Sequence, residues 1–198
     1  TLFSDKVIVT TEKEKNTYIN ELKKFETENN CSGKFGNLEE KFLILGSPKV
    51  DKVLSTTRDN VTVPKEWHDL IIKPDGSRKK VILYNTTIQP LLNHKEEYLD
   101  KIQEVLNFFY EKRDEYTLLW RPHPLMETTL SSMLPGLYER YKKILVEYNN
   151  KAFGIYDDTA DIHRAIALSD AYYGDKGSVA VLYKETGKPC MIQNVKVK

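Results

Sequence analysis

The chain has 198 residues, enough for one good core or for one domain with part of another. Its 30 Lys and Arg against 29 Asp and Glu leave a net charge of +1, which gives no reason to expect nucleic acid as a polyanionic partner. No apolar run approaches the ~20 residues needed to span a bilayer, and the distant pair Cys31 and Cys190, without metal-ligand spacing, reads as free thiols in a reducing, cytoplasmic compartment.

Val7-Ile8-Val9 is the first expected strand. Thr10 or Thr11 can cap the helix that follows, and Glu12 and Glu14 in its first turn suit the helix dipole. Tyr18, Leu22 and Phe25 form one apolar stripe on it, and Asn29, Asn30 and Gly33 end it. Residues 30–40 read as loop, and Phe42-Leu43-Ile44-Leu45 as a second strand that ends in Gly46-Ser47-Pro48-Lys49-Val50-Asp51. A strand, a helix and a strand in succession favour parallel pairing. Residues 55–78, rich in Thr, Asn, Pro and Asp, show no dominant period and read as a linker.

A second series begins at Val81-Ile82-Leu83-Tyr84, followed by the loop Asn85-Thr86-Thr87-Ile88-Gln89-Pro90. The clearest helix runs from about Lys95 to Lys112, with Tyr98, Leu99, Ile102, Val105, Leu106 and Phe109 on one face. Thr117-Leu118-Leu119-Trp120 is a buried strand by composition. Pro122 and Pro124 lack ladder donors, so Arg121-Pro122-His123-Pro124 should be a stiff loop just past it. A helix is expected around Met133 to Lys143. Ile144-Leu145-Val146 and Phe153-Gly154-Ile155-Tyr156 are both apolar, and one of them should be a full strand. A helix over Ile162 to Leu168, a strand at Ala171-Tyr172-Tyr173, a helix from Ser178 and a last strand at Cys190-Met191-Ile192 complete the series. A chain that starts and stops on strands looks cut from something longer.

The alternation argues an α/β fold: a doubly wound, mostly parallel, Rossmann-like sheet. The expected domains are residues 1–54, the last β-α-β unit of an incomplete Rossmann-like domain; residues 55–78, the linker; and residues 79–198, a second Rossmann-like domain.

In open α/β sheets ligands bind beyond the carboxyl ends of the strands. Four loops of the second series should share that edge. They offer Asn85, Thr86 and Thr87 as donors to phosphate; Arg121 and His123; Asp157, Asp158 and Thr159; and Gly174, Asp175, Gly177 and Ser178. In the last loop small residues let backbone approach a ligand, and the helix from Ser178 presents unpaired N–H groups. Each piece has a plainer reading. Arg121 and His123 could be solvated, Asp158 could cap a helix as Asp161 or Thr159 could, and Lys176 could face water. Asp158 otherwise suits a ribose or polyol hydroxyl. There is no Walker A, Gly-x-Gly-x-x-Gly, metal-spaced His/Cys cluster or Gly-x-Ser-x-Gly elbow. Neither a cofactor nor a metal is therefore expected.

The order Gly46-Ser47-Pro48-Lys49-Val50-Asp51, Ile82-Leu83-Tyr84, Arg121-Pro122-His123-Pro124, Ser169-Asp170 through Asp175 to Ser178, and Gly187-Lys188-Pro189 resembles the CDP-glycerol glycerophosphotransferases of the teichoic-acid polymerase and primase type. The resemblance covers roughly residues 5–193. It implies a GT-B fold, here the C-terminal half plus the end of the N-terminal half, with the nucleotide donor bound by residues 79–198. It also implies that His123 contacts the donor diphosphate with Arg121 beside it, and that Ser178 and the backbone near Gly177 hold phosphate. Two positions depart from the pattern. The family's Arg after the Leu-Tyr strand is missing from Asn85-Thr86-Thr87-Ile88-Gln89, and its paired serines appear as Gly177-Ser178.

The implied reaction transfers glycerol phosphate, or a similar polyol phosphate, from CDP-glycerol or a related donor to a hydroxyl of a teichoic-acid-like or capsular polymer on a lipid carrier. The general base is expected in the N-terminal half, and the implied place is the cytoplasm at the inner face of the membrane. Peripheral membrane contact of the full-length protein would use basic or amphipathic residues that are not obvious here. Two alternatives stand beside this reading. One is a UDP-sugar glycosyltransferase or UDP-GlcNAc 2-epimerase-like enzyme, with Asp158 or Glu185 on ribose or sugar hydroxyls. The other is a non-catalytic nucleotide-binding module.

Overall fold

The computed structural model describes residues 2–196. The chain divides into two compact units, Thr1–Asp51 and Lys52–Lys198.

In the first unit β1 (Val7–Val9) leads into α1 (Glu12–Glu28). Then come the short α2 (Leu38–Lys41), inside the stretch read as loop, and β2 (Phe42–Ile44). The strands pair in parallel, Val7 opposite Phe42. Thr11 is the cap of α1, its hydroxyl accepting the Glu14 N–H at 3.1 Å. The buried face of α1 is not the stripe expected. Ile19 and Leu22 pack with Val9, Leu38 and Phe42, while Tyr18 and Phe25 flank that core half-exposed.

α3 (Pro48–Ser55) leads to α4 (Lys65–Ile71), and the latter corrects the reading of residues 55–78 as a linker. Trp67 and Ile71, four apart on one face of α4, are buried in the same core as Val81, Leu83, Ala165 and Ile166, with Val61 and Val63 packed against it. The Thr, Asn and Asp residues around them hide this short period in the composition.

The second unit continues with β3 (Lys80–Thr86), α5 (Ile88–His94), α6 (Glu96–Glu111), β4 (Tyr116–Pro122), α7 (Met126–Met133), α8 (Pro135–Lys151) and β5 (Ile155–Tyr156). It ends with α9 (Ile162–Leu168), β6 (Ala171–Gly174), α10 (Ser178–Lys184) and β7 (Cys190–Ile192). Ile144-Leu145-Val146 lies in α8, where Pro135 fits the first turn, so only Ile155–Tyr156 of the two candidates is a strand. All five strands run parallel in the order β5-β4-β3-β6-β7. Alternation along β3 and β4 sends Tyr84, Leu118 and Trp120 to one face, under α6 and α8. Val81, Leu83 and Leu119 go to the other, with α4, α9 and α10. This is the doubly wound α/β sheet that the strand–helix alternation implied.

β4 runs two residues further than expected, through Arg121 and Pro122. The His123 N–H donates to Thr86 O of β3, so the Pro122 nitrogen points to the β5 side. Pairing with β5 has already ended there at Trp120 opposite Tyr156, and the missing donor leaves no gap in a ladder.

Candidate functional site

Because all five strands are parallel, the loops after β3, β4, β5 and β6 meet at one edge of the sheet, and the structure stitches them together there. The loop after β3 is the centre. Thr86 O accepts the His123 N–H at 2.8 Å, which ties it to the loop after β4. The N–H and hydroxyl of Thr87 both donate to Asp175 Oδ2, at 2.6 and 3.1 Å, which ties it to the loop after β6.

Several residues expected to bind ligand prove to be the stitching itself. Thr86 is fully buried, and its hydroxyl accepts from the Trp120 indole N–H at 3.1 Å. Asn85 is 4% exposed; its Nδ2 donates to Arg121 O at 2.7 Å, and its Oδ1 has no partner among the described residues. Asp175 is 2% exposed. Besides Thr87, its carboxylate accepts from the Tyr98 hydroxyl at 2.5 Å and from Gln193 Nε2 at 2.6 Å. Burial, then the Asp175 charge, holds the Tyr98 phenol well above its ordinary value, so Tyr98 stays a donor to that carboxylate. Such a buried carboxylate needs its donors because an unpaired charge in the interior is costly. Gly174 completes the crevice between β3 and β6. Its φ of +156° and its approach to β3, where a Cβ would lie 2.3 Å from Asn85 O, exclude a side chain.

What stays available lies in two places at this edge. One is a cleft of ≈ 180 Å3 whose lining includes Arg121, His123, Glu127, Tyr156, Asp158 and Thr159. Arg121 is 7% exposed and already paired: Nη1 donates to Asp157 Oδ2 at 2.5 Å and Nη2 to Thr159 O at 2.6 Å. Asp157 is fully buried, while Asp158 and Glu127 are exposed, so the free charge on this cleft is acidic. Glu127 and Tyr156 were not among the site residues expected from the sequence. Tyr156 closes β5, a position that becomes informative only once the true strand is known. The helix cap is Asp161, not Asp158: Asp161 Oδ1 accepts the Arg164 N–H at 3.1 Å.

The second is the start of α10, after β6, while His123 itself belongs to the cleft after β4. His123 is half-buried, and its Nδ1 accepts the Leu125 N–H at 3.1 Å. That bond places the proton of the neutral ring on Nε2, which has no hydrogen-bond partner among the described residues. Lys176 and Ser178 are exposed, and Gly177 is the N-cap residue of α10. Gly177 lies in extended backbone, its virtual Cβ 3.6 Å from Thr87 Cγ2, so its glycine is not required by the fold. Among the described residues no group of three or more His, Cys, Asp or Glu could hold a metal ion.

Residues 6–195 match the family model of CDP-glycerol:poly(glycerophosphate) glycerophosphotransferase. The chain belongs to this family. No curated protein sequence matches it. Among solved structures, the wall teichoic acid polymerase TagF is similar with a TM-score of 0.53 and 20% identity, over 95% of this chain and 38% of that one. A variant of TagF gives a TM-score of 0.53 and 21% identity, over 95% and 39%. MnaA of S. aureus, solved with UDP, is similar at a TM-score of 0.48 and 18% identity, over 82% and 40%. At these identities the TagF likeness shows the fold, and the MnaA likeness carries no argument. This glycerophosphotransferase-family chain spans less than two-fifths of the TagF chains.

The loop motifs of the second unit that carry the family resemblance divide between the two sheet edges. Arg121-Pro122-His123-Pro124 and Asp175 to Ser178 are at the edge just described. Ser169-Asp170 precedes β6 and Gly187-Lys188-Pro189 precedes β7, so both are at the opposite edge. There Asp170 Oδ1 accepts from Arg58 at 2.6 Å, and Oδ2 from Arg78 at 2.7 Å and from the Val81 N–H at 2.8 Å. Lys188 Nζ donates to the carbonyls of Ile166 and Ser169 at 2.9 and 2.8 Å, capping the end of α9. Burial disfavours the Asp170 carboxylate, but the hydrogen bonds from Val81, Arg78 and Arg58 outweigh it and hold the group below its ordinary value. These motifs are structural.

Proposed function

We propose that the second unit binds a cytidine diphosphate-linked polyol, CDP-glycerol in the simplest case, for transfer of its polyol phosphate to a polymer hydroxyl. The observation that carries the reading is the His123 ring. It sits at the carboxyl end of a central strand, fixed through Nδ1, with a proton on a free Nε2. In the proposed step the acceptor oxygen attacks the β-phosphorus, and the bond from that phosphorus to the bridging oxygen breaks. CMP leaves with the electron pair. Charge develops on the bridging oxygen and the leaving phosphate, where the His123 Nε2–H donates. The Ser178 hydroxyl and the backbone near Gly177 are the further proposed phosphate contacts.

The Arg121 cleft suits the nucleoside end. Its guanidinium is matched by Asp157, which weakens its claim on a dianion. The exposed Asp158 and Glu127 are acceptors, fit for ribose hydroxyls or an exocyclic amine. The acceptor is proposed to be a teichoic-acid-like or capsular polymer on a lipid carrier, met at the inner face of the membrane. The base that takes the acceptor proton is proposed to belong to the N-terminal half. Family membership supports the donor class.

Calorimetric titration with CMP and with UMP tests the donor. Tighter binding of CMP, weakened in His123→Ala, supports the reading. Preference for UMP would move the site to uridine-linked sugars.

A further inference from the structure

The helix α4 lies within the stretch that composition gives as a linker, yet it reaches the candidate site through side chains. Trp67 of α4 is 7% exposed, and the Arg164 guanidinium of α9 lies over its ring at 4.4 Å. Arg164 Nη2 donates to Thr159 Oγ1 at 3.0 Å, and the Thr159 hydroxyl donates to Asp157 Oδ1 at 2.6 Å. The Thr159 N–H donates to the same oxygen at 3.1 Å. The other carboxylate oxygen of Asp157 holds Arg121. The line Trp67–Arg164–Thr159–Asp157–Arg121 is therefore continuous from α4 to the cleft wall. The same segment grips the far end of α9, through Arg58 and Arg78 on Asp170 and through Arg78 on Leu168 O.

We propose that Arg164, seated on the Trp67 ring, is a positioning residue for the cleft, fixing the Thr159 hydroxyl and through it the Asp157–Arg121 pair. Arg164 does not itself line the cleft and reaches it only through the lining residue Thr159. It acts on the loop between β5 and α9, which presents Asp158. The Thr159 hydroxyl has one proton and two lone pairs; accepting from Arg164 on a lone pair orients it so that its proton goes to Asp157. Trp67 fixes the arginine in turn, since a guanidinium stacked on an aromatic face gives up little freedom when it donates. The effect on nucleotide binding rests on the function proposed above; the effect on the loop does not.

The test uses the 198-residue chain, with amide hydrogen exchange and CMP titration on wild type, Arg164→Gln, Arg164→Lys and Trp67→Leu. The expected result is faster exchange of the Thr159 amide in Arg164→Gln and Trp67→Leu, with unchanged exchange at Gly174 to Ser178. CMP affinity should fall about tenfold in both, as for loss of one hydrogen bond to a charged group, and recover in part in Arg164→Lys. Unchanged exchange at Thr159 would overturn the proposal, and so would equal acceleration at both loops, which reports general loosening. Selective acceleration at Thr159 in a chain whose wild type binds no CMP would uphold the positioning role and reject the nucleotide reading.

Discussion

His123 and Arg121 stand two residues apart, but only one has a free functional group. The Arg121 guanidinium is held by Asp157 and Thr159 O, whereas His123 presents Nε2. The two should therefore answer mutation differently. His123→Ala removes a half-buried ring whose one side-chain bond among the described residues is from the Leu125 N–H. Its unfolding free energy should stay within about 1 kcal/mol of wild type while CMP affinity falls about tenfold or more. Arg121→Met leaves the fully buried Asp157 carboxylate without its cation, and should cost about 3–5 kcal/mol in denaturant unfolding. If Arg121→Met folds as stably as wild type, the ion pair is not the structural element described here. At this scale the sequence showed which residue types converge, because prolines, an arginine and a histidine in one short run stand out. It did not show that Arg121 finds Asp157, since a pair 36 positions apart leaves no local pattern.

At the scale of elements, the site depends on loops that bind one another before any ligand binds them. Asp175 joins the ends of β3 and β6 to Tyr98 of α6 and to Gln193. Asp175→Ala leaves those donors buried without an acceptor and should destabilise the fold by about 3 kcal/mol or more. The two glycines of this loop should separate sharply. Gly174→Ala forces a Cβ into Asn85 O at a φ few side chains adopt, and should cost at least about 2 kcal/mol. Gly177→Ala meets only Thr87 Cγ2 at ordinary contact distance and should change the melting temperature little. Equal losses in the two variants would contradict this account of the crevice. Strands β6 and β7 and helix α9 were legible in the sequence almost to the residue, because their apolar runs are bounded by Gly, Ser or Asp turns. α4 was not, because it is one short helix with two buried apolar residues, Trp67 and Ile71, set among polar ones.

In the second unit, the candidate site and the Arg58–Asp170–Arg78 cluster lie at opposite edges of one sheet. Asp170 gathers Arg58, Arg78 and the start of β3, and its carboxyl is held below the ordinary value near 3.9. A depressed carboxyl stabilises the fold fully above its unfolded value and loses that contribution as pH falls through the folded value. The melting temperature of wild type should therefore fall below about pH 4, and Asp170→Asn should flatten that acid limb. An unchanged limb would assign it to other carboxylates. The parallel sheet was legible from strand–helix alternation, and the family from motifs at both edges. The division of those motifs between ligand edge and scaffold edge was not, because spacing along the chain does not tell which end of a strand a residue occupies until the strand is placed.

The central claim is that the edge carrying His123 takes a cytidine-linked donor. The most direct measurement is calorimetric titration of the chain with CDP-glycerol, CMP, UDP-GlcNAc and UMP, repeated on His123→Ala. The account predicts binding of the cytidine pair over the uridine pair, weakened in the variant with the thermal transition intact. Preference for the uridine pair, or cytidine affinity unchanged by the loss of His123, would contradict it.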